Sequence, residues 1–283
     1  MSDNTILVFA LLGGLCVGSF LNVVIHRLPR MMEARWRDDC FLLDHPDGPL
    51  PERPVYNLAV PRSACPNCGH LIRWYENIPV VSWIVLRGRC SNCRTAISRR
   101  YPLVELATGL LTVLVVHFLG TDWYTIAALL LTWSLVALTM IDYDTQLLPD
   151  DITLPLLWLG LLVSLADGGV TPTDAIIGAA AGYLTLWSVY QGFLLLTGKE
   201  GMGFGDFKLL AALGAWLGWQ KLALVVVLSS AVGAALGIAL ILLLGRDRAQ
   251  PMPFGPFLAI AGFLAFLCGD ALLAGPLRLF SLG

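Results

Sequence analysis

Eight stretches of this chain are apolar over almost the length needed to cross a bilayer, and a soluble core cannot absorb that many. They run near residues 5–25, 102–119, 123–141, 152–167, 175–197, 207–219, 222–244 and 254–274. A spanning helix takes about 20 residues, and lipid offers nothing to unpaired backbone groups, so the spans must be helical. Only 13% of the residues are charged, against roughly 25% in an ordinary soluble domain. The expected fold class is therefore an all-α polytopic membrane protein with about eight transmembrane helices. Segments 152–167 and 207–219 are short, and a short span tilts little or sits inside the bundle, shielded from lipid. A disordered chain, a secreted disulfide scaffold and a simple soluble enzyme are excluded. The net charge of −2 is distributed by topology and points to no nucleic-acid partner.

Lys and Arg placement predicts the orientation. Residues 26–101 hold 12 of the 18 basic residues, so this segment is expected in the cytoplasm and both termini in the periplasm. Threading eight spans from there also places Lys199, Lys208, Arg246 and Arg248 inside, leaving only Lys221 and Arg278 outside. The first span does not read as a cleaved signal peptide, because Met1-Ser2-Asp3-Asn4 carries no Lys or Arg. The expected domains are a first transmembrane helix over 1–25, a cytoplasmic loop domain over 26–101, and a seven-helix membrane domain over 102–283.

Within that loop stand Cys65-Pro-Asn-Cys68 and Cys90-Ser-Asn-Cys93. Two such knuckles at this separation are a zinc-ribbon signature. A two-residue gap lets both thiolates of a knuckle reach one tetrahedral ion at about 2.3 Å. With four Cys ligands the Zn2+ site is closed, so its expected role is structural. Redox dithiols or unpaired thiols are the alternatives, and a reducing cytoplasm disfavours structural disulfides. Gly69 and Gly88-Arg89 suit tight turns. Cys16 and Cys268 read as packed small residues, and Cys40 has no evident partner. No internal repeat or low-complexity run stands out.

Carboxylates at a membrane edge are costly and usually functional. One cluster, Asp142, Asp144, Asp150 and Asp151, follows the third span; Asp206 opens the sixth. The topology puts both on the cytoplasmic side at similar depth. Two carboxylates sharing a site cannot both ionise freely. One then serves as acid and the other as base, as in an aspartic protease. Gly203 and Gly205 suit close approach of backbone to a substrate. The bland alternative is that Asp206 caps its helix and pairs with Lys208, while the others are solvated loop residues.

Taken in order, several motifs resemble the bacterial type 4 prepilin peptidases, the Gly-x-Gly-Asp aspartic peptidases. They are Gly18-Ser19-Phe20-Leu21-Asn22 with His26-Arg27-Leu28-Pro29, the two knuckles, and Arg100-Tyr101-Pro102-Leu103-Val104-Glu105. Ile141-Asp142 with Leu147-Leu148-Pro149-Asp150, Gly203-Phe204-Gly205-Asp206-Phe207-Lys208 and Pro253-Phe254-Gly255-Pro256 complete the set. The resemblance covers nearly the whole chain. It implies a bifunctional inner-membrane enzyme that removes the basic leader from type IV prepilins or type II secretion pseudopilins, after a Gly. It also implies methyl transfer from S-adenosylmethionine to the new N-terminus, usually Phe.

By position, the resemblance places the catalytic pair on Asp142 and Asp206, a choice between Asp142 and Asp144 that physics alone leaves open. Gly203, Gly205, Lys208, Asp144 and Asp150 would support the site. Asp144, Asp150 and Asp151 are candidates to meet a basic leader. The resemblance suggests that the N-terminal half serves methyl transfer, with Gly18, Asn22, Arg27, Gly88 and Glu105 as candidates; packing is the alternative for each. No glycine-rich dinucleotide fingerprint follows a strand, so a Rossmann methyltransferase is not expected. An ion-coupled transporter and an assembly scaffold for pili or secretion are the rival classes. The expected partners are the protein substrates and membrane lipid; the oligomeric state is open.

Overall fold

A computed structural model describes residues 3–46, 48–51, 53–166, 169–244 and 252–280. Arg246 and Arg248, counted above, lie outside the described residues, as do Met1 and Ser2. The helices are α1 (Asp3–Asp44), α2 (Val81–Val85), α3 (Arg100–Leu119), α4 (Trp123–Thr145), α5 (Asp150–Ser164), α6 (Pro172–Thr197), α7 (Phe204–Leu217), α8 (Leu222–Leu244) and α9 (Gly255–Phe280). No strand occurs among the described residues, only two isolated bridges. The all-helical expectation holds, and every expected apolar segment lies for most of its length on a helix, Asp167 at the end of the 152–167 segment falling outside the described residues.

Among the described residues six helices are long and apolar enough to cross a membrane: α1, α3, α4, α6, α8 with its preceding turn, and α9. The other two, α5 with 15 residues and α7 with 14, are the segments read as short. At 1.5 Å per residue α7 reaches only about 21 Å, and from Asp206 to Leu217 every residue except Lys208 is buried. A helix apolar all round belongs inside a bundle.

The chain divides into two compact units, residues 1–117 and 118–283. In the first, α1 does not stop near residue 25 but runs on to Asp44. It packs on α3 through small residues. A Cβ on Gly14 would stand 2.6 Å from Thr112 Oγ1, and one on Gly18 would stand 2.7 Å from the Cα of Glu105. Close backbone approach at small residues is how membrane helices gain packing without a water-driven hydrophobic effect. Thr108 and Thr112 return their hydroxyls to the carbonyls of Val104 and Thr108, so no polar group is stranded in that contact.

The second unit wraps α7. Gly178 and Gly182 of α6 lie against its backbone: a Cβ on Gly178 would come within 2.3 Å of the Gly214 carbonyl oxygen. Trp216 donates its indole N–H to the Leu156 carbonyl of α5 at 2.9 Å. Gly160 leaves room for that ring. Leu131, Leu138, Phe207, Leu210, Leu213 and Leu258 are fully buried around it. This packing fixes where α7 starts, and hence where Asp206 sits.

Candidate active site

Asp142 lies in the last turn of α4, which ends when Gln146 adopts a left-handed conformation and donates its N–H to the Asp142 carbonyl. A carboxylate at a helix C-terminus opposes the helix dipole. Here the opposition is relieved from another helix. The backbone N–H of Gly255, first residue of α9, donates to Asp142 Oδ2 at 2.9 Å. That N–H is one of the orphan donors every helix start leaves unpaired. The approach favours glycine, because a Cβ on Gly255 would stand 2.7 Å from the same oxygen and would push the carboxylate aside.

Asp206 occupies the first turn of α7, after Gly203 at the N-cap. Its side chain does not cap the helix, and its Oδ1 is buried without a hydrogen-bond partner. Asp142 and Asp206 are 5% and 8% exposed and lie within electrostatic range of each other. An unpartnered buried carboxylate oxygen is uncommon and calls for a functional reason. Lys208 does not pair with Asp206. It holds Asp150 at the start of α5 through both carboxylate oxygens, at 2.8 and 2.7 Å. This ion pair ties α5 to α7 beside the two aspartates. Asp144 and Asp151 are exposed.

The two glycines before Asp206 differ. A Cβ on Gly205 would meet Leu148 Cβ at 2.7 Å, whereas one on Gly203 would point into open space. Gly205 is therefore needed by the protein's own packing, while Gly203 is not.

In the first unit the four cysteines come together. Their sulfurs all lie within 4.8 Å of one another, with Cys65–Cys93 at 3.7 Å and Cys68–Cys90 at 4.0 Å. Tetrahedral sulfurs at about 2.3 Å from zinc are about 3.8 Å apart, so the set fits such an ion. The knuckles form a repeat that the sequence reading missed. Cys65 and Cys90 donate their N–H to His70 and Thr95, and Ile72 and Ile97 donate to Ser63 and Gly88. The bridges Ala64–Leu71 and Arg89–Ala96 correspond. Asn67 donates to Cys93 Sγ and Asn92 to Cys68 Sγ, both at 3.6 Å. The signal was the shared Cys-x-Asn-Cys with Ile four residues on. Thr95, through hydroxyl and amide, and Asn67 hold the Cys93 thiol down to about 5, the thiolate state a metal requires. Beside the knuckles Ser91, the Arg73 amide and His70 hold Glu76 down to about 2. A groove of about 560 Å³, lined in part by His70, Glu76, Ser91, Val81 and Val85, adjoins them.

The five methyl-transfer candidates each have an internal partner. Gly18 meets α3, and Asn22 donates to the Tyr101 carbonyl at 3.1 Å. Arg27 is buried, donates to the Asn57 and Pro61 carbonyls at 2.8 and 2.6 Å, and lies over the Tyr56 ring. Gly88, at φ +64°, leaves space for Trp83. Glu105 accepts the Val80 N–H at 2.7 Å. Arg27 and Glu105 hold the loop to α1 and α3, Gly18 and Asn22 join those two helices, and each of the five is engaged by the protein itself.

Residues 12–119 match the bacterial peptidase A24 N-terminal domain, and residues 128–238 match the type IV leader peptidase family. A prepilin leader peptidase/N-methyltransferase of Aeromonas hydrophila is 61% identical over 258 residues, 91% of this chain and 89% of that protein. Proteins of the same name from Stutzerimonas stutzeri and Pseudomonas aeruginosa are 54% and 56% identical, over 95% and 91% of this chain and 93% and 88% of theirs. The chain belongs to the type IV leader peptidase family. No solved structure matches it. The two family regions track the two compact units, so α3 groups with the N-terminal region. A leader peptidase of this helix content is a multi-pass membrane protein. The site residue that sequence reasoning left without a role is Gly255. Its Pro253-Phe254-Gly255-Pro256 setting marks a sharp helix start, and helix N-termini hold anions.

Proposed function

We propose that this protein removes the leader from type IV prepilins and from type II secretion pseudopilins at the cytoplasmic face of the inner membrane, and methylates the new N-terminus. The observation that carries the peptidase reading is the pair of buried carboxyls at two helix ends, one oxygen held by Gly255 and one oxygen of Asp206 unpartnered. Asp142 and Asp206 share one proton and activate a water against the scissile carbonyl, with the base belonging to the pair. Gly203, open on its Cβ side, leaves room for substrate backbone. Asp144, Asp150 and Asp151, exposed where α4 ends and α5 begins, are the candidates to meet a basic leader.

S-adenosylmethionine supplies the methyl group when bound. Gly18, Asn22, Arg27, Gly88 and Glu105 contribute by shaping the unit that holds loop and helices together. The four cysteines hold a structural Zn2+. The full distribution of Lys and Arg supports eight spans with both termini in the periplasm.

The test is incubation of the purified chain in liposomes with a prepilin bearing a Gly-Phe junction and S-adenosylmethionine. Mass spectrometry is expected to show leader loss plus one methyl group. Intact substrate with every prepilin tried, and ion flux through the same liposomes, would favour the transporter reading.

A further inference from the structure

We infer that α2 is a membrane-inserted foot: the Ile78–Leu86 segment dips into the leaflet where α3 begins, and Val81, Ile84 and Val85 face lipid. Nothing in this rests on the catalytic reading.

The argument starts from depth. Helix α3 has 20 residues, so it is about 30 Å long, the thickness of the hydrocarbon core. It has no residue to spare. Glu105, five residues in, therefore lies about 7 Å along it, below the membrane surface. The Val80 N–H is bonded to that carboxylate at 2.7 Å. The start of α2 is thereby pinned beside the span at the depth of an interfacial helix, about 5–10 Å into the headgroup boundary.

The local backbone shows how firmly it is pinned. Val81 N–H donates to the Pro79 carbonyl, closing a three-residue turn with Val80 at φ 61°, ψ −48°. This is the strained γ-turn, and a β-branched residue at positive φ is an outlier. Such a residue persists where its surroundings over-determine it, and here the carboxylate captures the amide. Non-helical backbone survives at membrane depth when protein groups satisfy it.

The side chains fit the placement. Val81, Ile84 and Val85 are 53%, 61% and 73% exposed, Val81 and Val85 at the apolar edge of the groove that also holds His70 and Glu76. At spacings of three and four they share one helix face. Open to water, this face gains none of the stabilisation that removing apolar surface from water gives. Trp83, by contrast, turns inward, donating its indole N–H to the Ile97 carbonyl. Arg87 and Arg89 follow directly and are exposed, placed for anionic headgroups.

The test uses the full chain in liposomes of phosphatidylethanolamine and phosphatidylglycerol, without prepilin. Ile84→p-benzoylphenylalanine and Val85→p-benzoylphenylalanine are photolysed beside Leu43→p-benzoylphenylalanine. Leu43 is also exposed, but stands about 30 Å further along α1 from Asn22, which bonds α3 at Tyr101. Lipid adducts at 84 and 85 at least fivefold above 43 are expected; equal yields, or adducts to a second protein copy in place of lipid, would overturn the proposal. Hydroxyl-radical footprinting of the unsubstituted protein gives an independent reading. Ile84 and Val85 are expected to be protected in liposomes while Leu43 is oxidised, and oxidation of all three would end the idea.

Discussion

The cysteine cluster and the aspartate pair are both small sets of polar groups, yet they are assembled by opposite means. Each knuckle is built locally: its two cysteines are three positions apart and its turn closes on its own backbone. Only one long-range step, bringing the two copies face to face, completes the four-sulfur set. The aspartates have no such local frame. Asp142 and Asp206 are 64 positions apart (206 − 142), and they meet because α4 and α7 end and begin where the packing of α5, α6 and α9 dictates. The first site is held by short polar contacts, the second by buried apolar surface and by glycines that let backbones touch. The two should therefore fail in different ways.

Metal removal is the widest test of that difference. A structural zinc site contributes on the order of 10 kcal/mol to folding. Chelation, or Cys90→Ser, should leave residues 63–97 open to protease while far-UV circular dichroism keeps the helices of residues 123–280. Loss of most helical signal on chelation would show that the two regions do not fail separately.

Changes at the dyad should do the reverse. Asp142→Asn and Asp206→Asn keep the shape of each side chain and should leave the cysteine ribbon and the helical signal intact. Prepilin cleavage should fall by about 10²–10⁴-fold, the usual contribution of acid–base catalysis. Undiminished cleavage in a folded Asp142→Asn variant would move the role to Asp144.

These contrasts also explain what the sequence could reveal. Cysteine spacing is a local code, so the cluster of four cysteines was legible at once, although the repeat in their surroundings was not, since most of the positions that carry it use backbone groups that any residue supplies. The helices were legible from apolar length, but the bounds of α1 were not, because its polar continuation to Asp44 looks like loop to a hydropathy reading. Both aspartates were visible as carboxylates at helix ends. What could not be read was Gly255, whose function is an N–H group aimed by α9, and the partner of Lys208, which lies 58 positions away at Asp150. Side-chain identity announces chemistry; a backbone donor does so only once the fold places it.

Glycine supplies the next sharpening, because steric demand separates Gly205 from Gly203. Gly205→Ala forces a Cβ against Leu148 and should cost about 1–3 kcal/mol, as overpacking does. Leu148→Ala in the same chain should recover part of that loss in thermal unfolding. Gly203→Ala should leave stability unchanged, within about 0.5 kcal/mol. If cleavage nevertheless falls in the folded Gly203→Ala variant with KM raised, substrate backbone passes there. Unchanged kinetics would make that glycine a matter of chain flexibility alone.

The smallest effect belongs to the ion pair between α5 and α7. Lys208 and Asp150 are 30% and 50% exposed at their side chains, so solvent screens them, and such a pair contributes about 0.2–1 kcal/mol. Lys208→Ala should lower thermal stability only slightly. Its effect on cleavage should exceed its effect on stability, because the pair joins the N-terminal turns of α5 and α7 and so helps set the position of Asp206. A double-mutant cycle with Asp150→Ala separates the two roles. If position is what matters, the two single changes should slow cleavage alike and the double change should add little. Additive losses would mean that each residue acts alone, Asp150 through its own negative charge toward the leader.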